Sequence, residues 1–362
     1  MVKKFVYGTP FETEAVVKEI PSSEGNPDYG TFSTENGFSF TTKLADEDMV
    51  FGLGEANRGI NKRGFLYISD CADDPNHVES KTSLYAAHNF IIISGKTHVG
   101  FFFDYPGTLR FDIGYTTSDT MTVSCENADL YVYMITGDSD LDIVKQFRGI
   151  IGRSYIAPKF AFGYGQSRWG YKTEDDFRTV VKKYRENHVP LDMVYMDIDY
   201  MQDYKDFTVN EELFPDFEGF VQDMKKEKIH LVPIIDAGVK VEEGYDIYEE
   251  GCEKGYFCRR EDGSYFEATV WPGWTHFPDV LNADARKWFG DKYDVLVSKG
   301  IDAFWNDMNE PSIFYSQEGL ADFKETAKKY VEGDPEVPHY MVGGKLQALA
   351  NNHEDYKRFY HN

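Results

Sequence analysis

Carboxylates at the ends of apolar runs are the residues of this chain best suited to chemistry. FWNDMNEPS (304–312) closes its apolar part at Asp307, flanked by Trp305 and Met308, with Glu310 three residues on. A carboxylate in a largely apolar, aromatic setting can act as nucleophile toward a sugar anomeric carbon. The same residue could instead be an N-capping Asp at a strand-to-helix turn. YMDIDYM (195–201) adds Asp197 and Asp199, and PIIDAG (233–238) adds Asp236. Strand alternation puts Asp197 with Asp199, and Ile234 with Asp236, on a common face. Inward carboxylates accept hydrogen bonds from vicinal hydroxyls, and Trp faces suit the C–H face of a pyranose. Asp199 and Asp236 read equally as structural salt-bridge partners; an ordinary core role is the lesser alternative for Trp271 and Trp305. Arg168 reads as a group that orients neighbouring carboxylates.

These residues need elements to hold them, and the chain supplies two kinds. In its first ~155 residues, short alternating or apolar runs sit between turn clusters: 29–44, 88–115 and 120–135, with SGK and YPG as turns. The pattern predicts an antiparallel β-sandwich. Asp140 to Ile151 reads as a short helix leading to a boundary at Pro158. Beyond it, apolar strands are expected at KFAFGYGQS (159–167), LDMVYMDID (191–199), IHLVPIID (229–236) and IDAFWND (301–307). Helices fall between them. Phe177, Val180, Val181 and Tyr184 keep helical spacing, as do Phe217, Phe220, Val221 and Met224. Thr173 and Asp176 have capping-box spacing, and a third helix covers roughly 283–299. Apolar strands joined by helices predict a parallel sheet buried on both faces.

Each expected strand ends in polar or aromatic residues: Arg168 and Trp169, Asp197 and Asp199, Asp236, and Asp307. In a (β/α)8 barrel such ends converge on one pocket, whereas in a doubly wound sheet only those at the switch point meet. The fold expected is therefore a β-sandwich over 1–157 followed by the first half of a (β/α)8 TIM barrel over 158–362. About four barrel strands are present, with insertions at about 237–282 and 313–362.

The motifs also carry a resemblance. WNDMNEP is similar to the nucleophile signature of glycoside hydrolase family 31. GQSRWGY, YMDIDYM with DFTVN (206–210) and FPDF (214–217), PIIDAG, VWPGWTHFPD (270–279) and FGLGEANRGIN (51–61) resemble further segments of that family. The matches run in family order from about residue 50 to Ser312. The resemblance implies that Asp307 is the nucleophile, supported by Glu310, and that Asp197 holds sugar hydroxyls of the −1 subsite. It makes Ile198, Ile234, Trp271, Trp305 and Met308 pocket walls and puts Trp169 near the entrance. It also brings Asp73, in the loop CADDPNH (71–77), over the pocket. In the family the acid/base is an Asp in a W-x-G-D-N-like context on a later strand, and no such motif follows Asp307 here.

The formal net charge of −24 disfavours nucleic acid and anionic lipid as partners. Cys71, Cys125, Cys252 and Cys258 lack zinc spacing. FGLGEAN lacks the third glycine of a dinucleotide fingerprint. The resemblance likewise implies no metal and no organic cofactor. The first residues lack the apolar core of a signal peptide, and FIIIS (90–94) is far too short to span a bilayer. The expectation is a cytoplasmic α-glucosidase that acts on a small oligosaccharide of maltose or isomaltose type by a retaining double displacement. Homo-oligomerisation is left open. An α-transglucosylase or α-xylosidase of the same family, and a non-catalytic carbohydrate-binding half-barrel, are the alternatives.

Overall fold

In a computed structural model, residues 1–71, 77–333 and 353–360 are described. The chain divides into two compact units, Met1–Ile156 and Ala157–Asn362.

The first unit is a sandwich of two five-stranded antiparallel sheets. Its strands are β1 (Val2–Tyr7), β2 (Thr31–Ser33), β3 (Phe38–Lys43), β4 (Met49–Gly52), β5 (Phe65–Ser69), β6 (Phe90–Ser94), β7 (His98–Asp104), β8 (Leu109–Ile113), β9 (Thr120–Cys125) and β10 (Leu130–Gly137). One sheet has the order β1-β10-β7-β6-β4 and the other β2-β3-β9-β8-β5. Alternation in the strands sends every second side chain inward. Val99, Phe101 and Phe103 of β7 thus meet Phe38 and Phe40 of β3 and Met121 and Val123 of β9 in one buried core. Helix α1 (Asp140–Ile151), capped by Ser139 Oγ on the Asp142 amide, lies against the outer side of the first sheet. Its Phe147 stacks on Phe90 with centroids 3.9 Å apart. Gly100 admits this approach, because a Cβ there would stand 2.5 Å from Ile143 Cγ2.

The second unit is built on β11 (Gly165–Gln166), α2 (Glu174–Glu186), β12 (Met193–Met196), α3 (Phe217–Lys226) and β13 (His230–Asp236). There follow β14 (Val239–Lys240), α4 (Asp246–Lys254), β15 (Glu267–Val270), β16 (Gly273–His276), α5 (Ala283–Lys292), α6 (Asp294–Val297), β17 (Trp305–Asp307), β18 (Tyr315–Ser316) and α7 (Gln317–Val331). Strands β11, β12, β13 and β17 pair in that order, all parallel. They form the expected half-barrel sheet. Val194, Met196, Leu231 and Ile235 on one face pack with Phe177 and Val181 of α2 and Phe220, Val221 and Met224 of α3. The Thr173 capping box that starts α2 is formed in full.

Several elements differ from expectation. The first barrel strand shrinks to two residues. Lys159–Phe162 is a 3-10 turn, and Phe160 leaves the ladder to stack on His230, with centroids 3.5 Å apart. The second strand stops at Met196, and Ile198–Tyr200 is a 3-10 turn. Asp197 and Asp199 therefore do not share a strand face. The helix expected at 283–299 is two, α5 and α6. The two insertions also join: β14, β16 and β15 of the first pair antiparallel, and β18 of the second adds to β15.

Candidate active site

Register decides which side chains meet. Ile234 of β13 pairs with Trp305 of β17, and Asp236 with Asp307. Met196 of β12 pairs with Pro233, which puts Asp197 beside Ile234 one step on. Paired residues on neighbouring parallel strands point to the same side of the sheet. Asp197, Ile234, Asp236, Trp305 and Asp307 thus line the face opposite to α2 and α3, at the C-terminal ends of three adjacent strands. Tyr195 joins them, its ring edge-on to Trp305 at 6.0 Å.

Both outer carboxylates are gripped in the same way. Asp307 Oδ1 accepts from the Met308 amide at 2.9 Å, and Asp197 Oδ1 from the Ile198 amide at 2.8 Å. Met308 itself adopts a left-handed φ of 55°, a conformation that is costly for a non-glycine residue and concentrates at functional sites. The second oxygen of each carboxylate stays free of this bond. Among the described residues, no Lys, Arg or His forms an ion pair with Asp197, Asp236 or Asp307.

The electrostatics follow from that lack of cations. Burial pushes the Asp197 carboxyl above its ordinary range; the Ile198 amide opposes this, and the charges of Asp199 and Asp307 add to it. Asp236 is 3% exposed. Burial, then Asp307 and Asp197, push it up to about 7. Behind it lies Asp206, 1% exposed, whose Oδ1 accepts from the Asp236 amide at 3.1 Å. Burial, then the charge of Asp236, raises the Asp206 carboxyl well above the carboxylate range. Asp236 Oδ1 and Asp206 Oδ2 are both buried without a hydrogen-bond partner.

The other expected site residues divide. Ile198 and Ile234 are buried in the unit's core, and Met308 packs against the cluster around Phe266 and Phe277. Trp169 and Trp271 are largely exposed, 6.1 Å apart, and Phe314 lies edge-on to Trp271 at 5.1 Å. Phe314 was not foreseen, since nothing in the spacing of an inserted segment marks it. Glu310 is exposed and, among the described residues, makes no hydrogen bond or ion pair. Asp73 lies outside the described residues.

Asp199 turns away from the face, 3.6 Å from Lys172 Nζ and accepting from the Tyr204 hydroxyl at 3.3 Å, which bears out its salt-bridge reading. Asp236 has no such cation, so that reading fails for it. Arg168 is exposed and forms no ion pair among the described residues, so it orients none of these carboxylates. Among the described residues, no group of three or more His, Cys, Asp or Glu is placed to hold a metal ion.

Comparison with known proteins agrees with this architecture. Residues 154–361 match the glycosyl hydrolases family 31 TIM-barrel domain. Residues 11–112 match the glycosyl hydrolase 31 N-terminal galactose mutarotase-like domain. The chain is 37% identical over 277 residues to alpha-glucosidase 2 of Bacillus thermoamyloliquefaciens, covering 75% of this chain and 35% of that protein. It is 26% identical over 358 residues to an alpha-glucosidase of Saccharolobus solfataricus, covering 96% of this chain and 51% of the relative. A Flavobacterium johnsoniae dextranase of the same family, solved with isomaltotriose, superposes with a TM-score of 0.71 at 23% identity, over 80% of this chain and 36% of its own. The chain thus spans between a third and a half of the length of these proteins.

Proposed function

Because the chain belongs to glycosyl hydrolase family 31, we propose that its half-barrel carries the nucleophile side of the −1 subsite of a retaining α-glucosidase. The observation that carries this is the shared face of Asp197, Asp236 and Asp307 across three adjacent parallel strands. With Oδ1 held by the Met308 amide, Asp307 presents its other oxygen to the anomeric carbon of a terminal α-glucosyl unit. That oxygen bonds to C1 as the bond from C1 to the leaving oxygen breaks, and a general acid, assigned here to no residue, protonates the leaving oxygen. Water then attacks C1 as that same group, now acting as base, takes its proton; the ester to Asp307 opens, and two inversions leave the α configuration. Asp197 accepts hydrogen bonds from sugar hydroxyls. Trp305 and Ile234 wall the ring, and Trp169 with Trp271 stands at the entrance.

The names of the relatives favour glucose, and Met308-Asn309-Glu310 after the nucleophile resembles the glucosidase branch. The described cysteines are free thiols, which supports a reducing, cytoplasmic setting.

A 5-fluoro-glucosyl fluoride tests the assignment, because fluoride leaves without protonation and the labelling step needs no general acid. Peptide mapping is expected to find the glycosyl ester on Asp307 and none in Asp307→Ala, a fall of at least about 10⁴-fold in labelling. Label on another residue, or none, overturns the reading.

A further inference from the structure

Asp236 is the buried titratable group that this mechanism leaves unused. It sits next to Asp307 on the neighbouring strand in direct register, at the strand spacing of about 4.8 Å. Two carboxylates on paired positions, with no cation beside them among the described residues, do not both ionise at low cost. The surroundings decide which keeps the charge. Asp307 has an amide donor on Oδ1, and a hydrogen bond to the charged form favours it. Asp236 Oδ1 is buried with no hydrogen-bond donor among the described residues. Two groups facing Asp236 repel a charge there, Asp307 on β17 and Asp197 after β12, while Asp206 behind the strand is itself held neutral by burial and by the charge of Asp236. Tyr200, fully buried, donates its hydroxyl to the Ile234 carbonyl at 2.8 Å and so supplies nothing to Asp236.

We propose that Asp236 is a positioning acid that carries the proton of this carboxylate group and holds Asp307 ionised and oriented for attack. This rests on the assignment of Asp307 as nucleophile. A neutral Asp236 has an O–H to donate toward the Asp307 carboxylate, which stabilises the charge there and fixes the oxygen that does not attack. When Asp307 becomes an ester its charge is gone, the repulsion that kept the proton on Asp236 weakens, and Asp236 becomes the stronger acid. Asp206 is the buried backing for this arrangement. Its carboxyl, also without a cation, holds the Asp236 amide and so the end of the strand.

The test is a carbon-13 NMR titration of aspartate carboxyls in the whole chain, for wild type, Asp236→Asn and Asp307→Asn. Besides Asp206, which burial holds protonated throughout, one further carboxyl is expected to stay protonated past pH 6, with a midpoint near the value of about 7 to which its surroundings drive Asp236. That signal vanishes in Asp236→Asn. It moves down by a unit or more in Asp307→Asn, which is uncharged as the ester is. An Asp236 signal that titrates below pH 5, or one that ignores Asp307→Asn, overturns the proposal.

Labelling by the glucosyl fluoride separates this outcome from the first assignment. Label on Asp307 together with a low-titrating Asp236 sinks only the positioning role. A high-titrating, Asp307-sensitive Asp236 without label sinks the glucosidase reading. A purely structural Asp236 would leave the pH profile of labelling unmoved. The positioning role instead predicts an alkaline decline near pH 7 in wild type that disappears in the permanently neutral Asp236→Asn, and a rate about 10²-fold lower in Asp236→Ala.

Discussion

The two units bury polar groups in opposite ways. In the sandwich, buried charges are satisfied: Asp104 accepts from Thr13 Oγ1 at 2.5 Å, and Lys62 donates to the Gly59 carbonyl at 3.1 Å. The Tyr67 hydroxyl is the exception there among the described residues. In the half-barrel, Asp199, Asp206 and Asp236 each keep one buried oxygen without a partner. An unpaired buried polar atom costs about 1–3 kcal/mol or more, so a fold does not keep three in one region for stability. The sandwich has both sheets' inner faces covering each other. The half-barrel spends one face on helices α2 and α3 and keeps the other for carboxylates. Of the three, Asp236 alone lies on that carboxylate face; Asp199 is beside Lys172 and Asp206 is behind the strand.

That contrast can be broken first in the sandwich. Phe101 is fully buried, and its ring centroid lies 4.6 Å from that of Phe40. Phe101→Ala is expected to cost about 3–5 kcal/mol by lost burial and a residual cavity, read as a fall in the melting temperature of the first unit. Loss of stability without change in the Asp236 titration would show that the two properties belong to separate units. A shift in both would collapse the distinction.

The half-barrel should respond to pH more strongly than the sandwich, where burial also raises the Asp104 carboxyl but the hydrogen bond from Thr13 opposes it. Asp236 has a folded-state value of about 7, above its ordinary 3.8. The folded form therefore binds the proton more tightly than the unfolded chain does. Its contribution to stability is complete below about pH 4 and is lost as pH rises toward and through 7. Across that window the loss is of the order of a few kcal/mol. Denaturant melts at pH 5 and pH 8 are expected to show this fall in wild type and a flatter response in Asp236→Asn. His276 works in the other direction. Burial, then Arg260, lowers it to about 4, so its contribution is present above pH 6.5 and is lost as pH falls toward 4.

Much of this architecture was legible from residue types. Asp307 announces itself by ending an apolar run, and the structure puts it at the last position of β17. Helix α1 was read at its observed bounds, and the structure shows Ser139 capping its start and Gly152 following its end. What stayed hidden depends on space. Asp197 and Asp199 were read on one strand face because alternation was carried three residues too far, past Met196 and into the turn at Ile198. Asp206 sits in the quoted DFTVN, yet nothing in its neighbours shows that it is buried behind a strand 30 residues on. The pairing of β15 with β18 joins two insertions across the sequence, and no local pattern specifies it.

The smallest effect tests whether local signals set stability in the half-barrel as they do in α1. Thr173 Oγ1 accepts from the Asp176 amide at 3.3 Å, and Asp176 Oδ2 accepts from the Thr173 amide at 2.9 Å. The two bonds satisfy donors that the first turn of α2 would otherwise leave open. Thr173→Ala removes one and should cost about 1 kcal/mol, seen as a lower denaturation midpoint with an unchanged slope. Helix α2 covers the face of the sheet opposite to Asp307, and its buried residues Phe177 and Val181 follow directly on the cap. The rate of labelling at Asp307 should therefore stay within a factor of about two under conditions where the variant is folded. A large fall in labelling would mean that the helical face and the carboxylate face are coupled through the strands, and that the division of labour drawn between them does not hold.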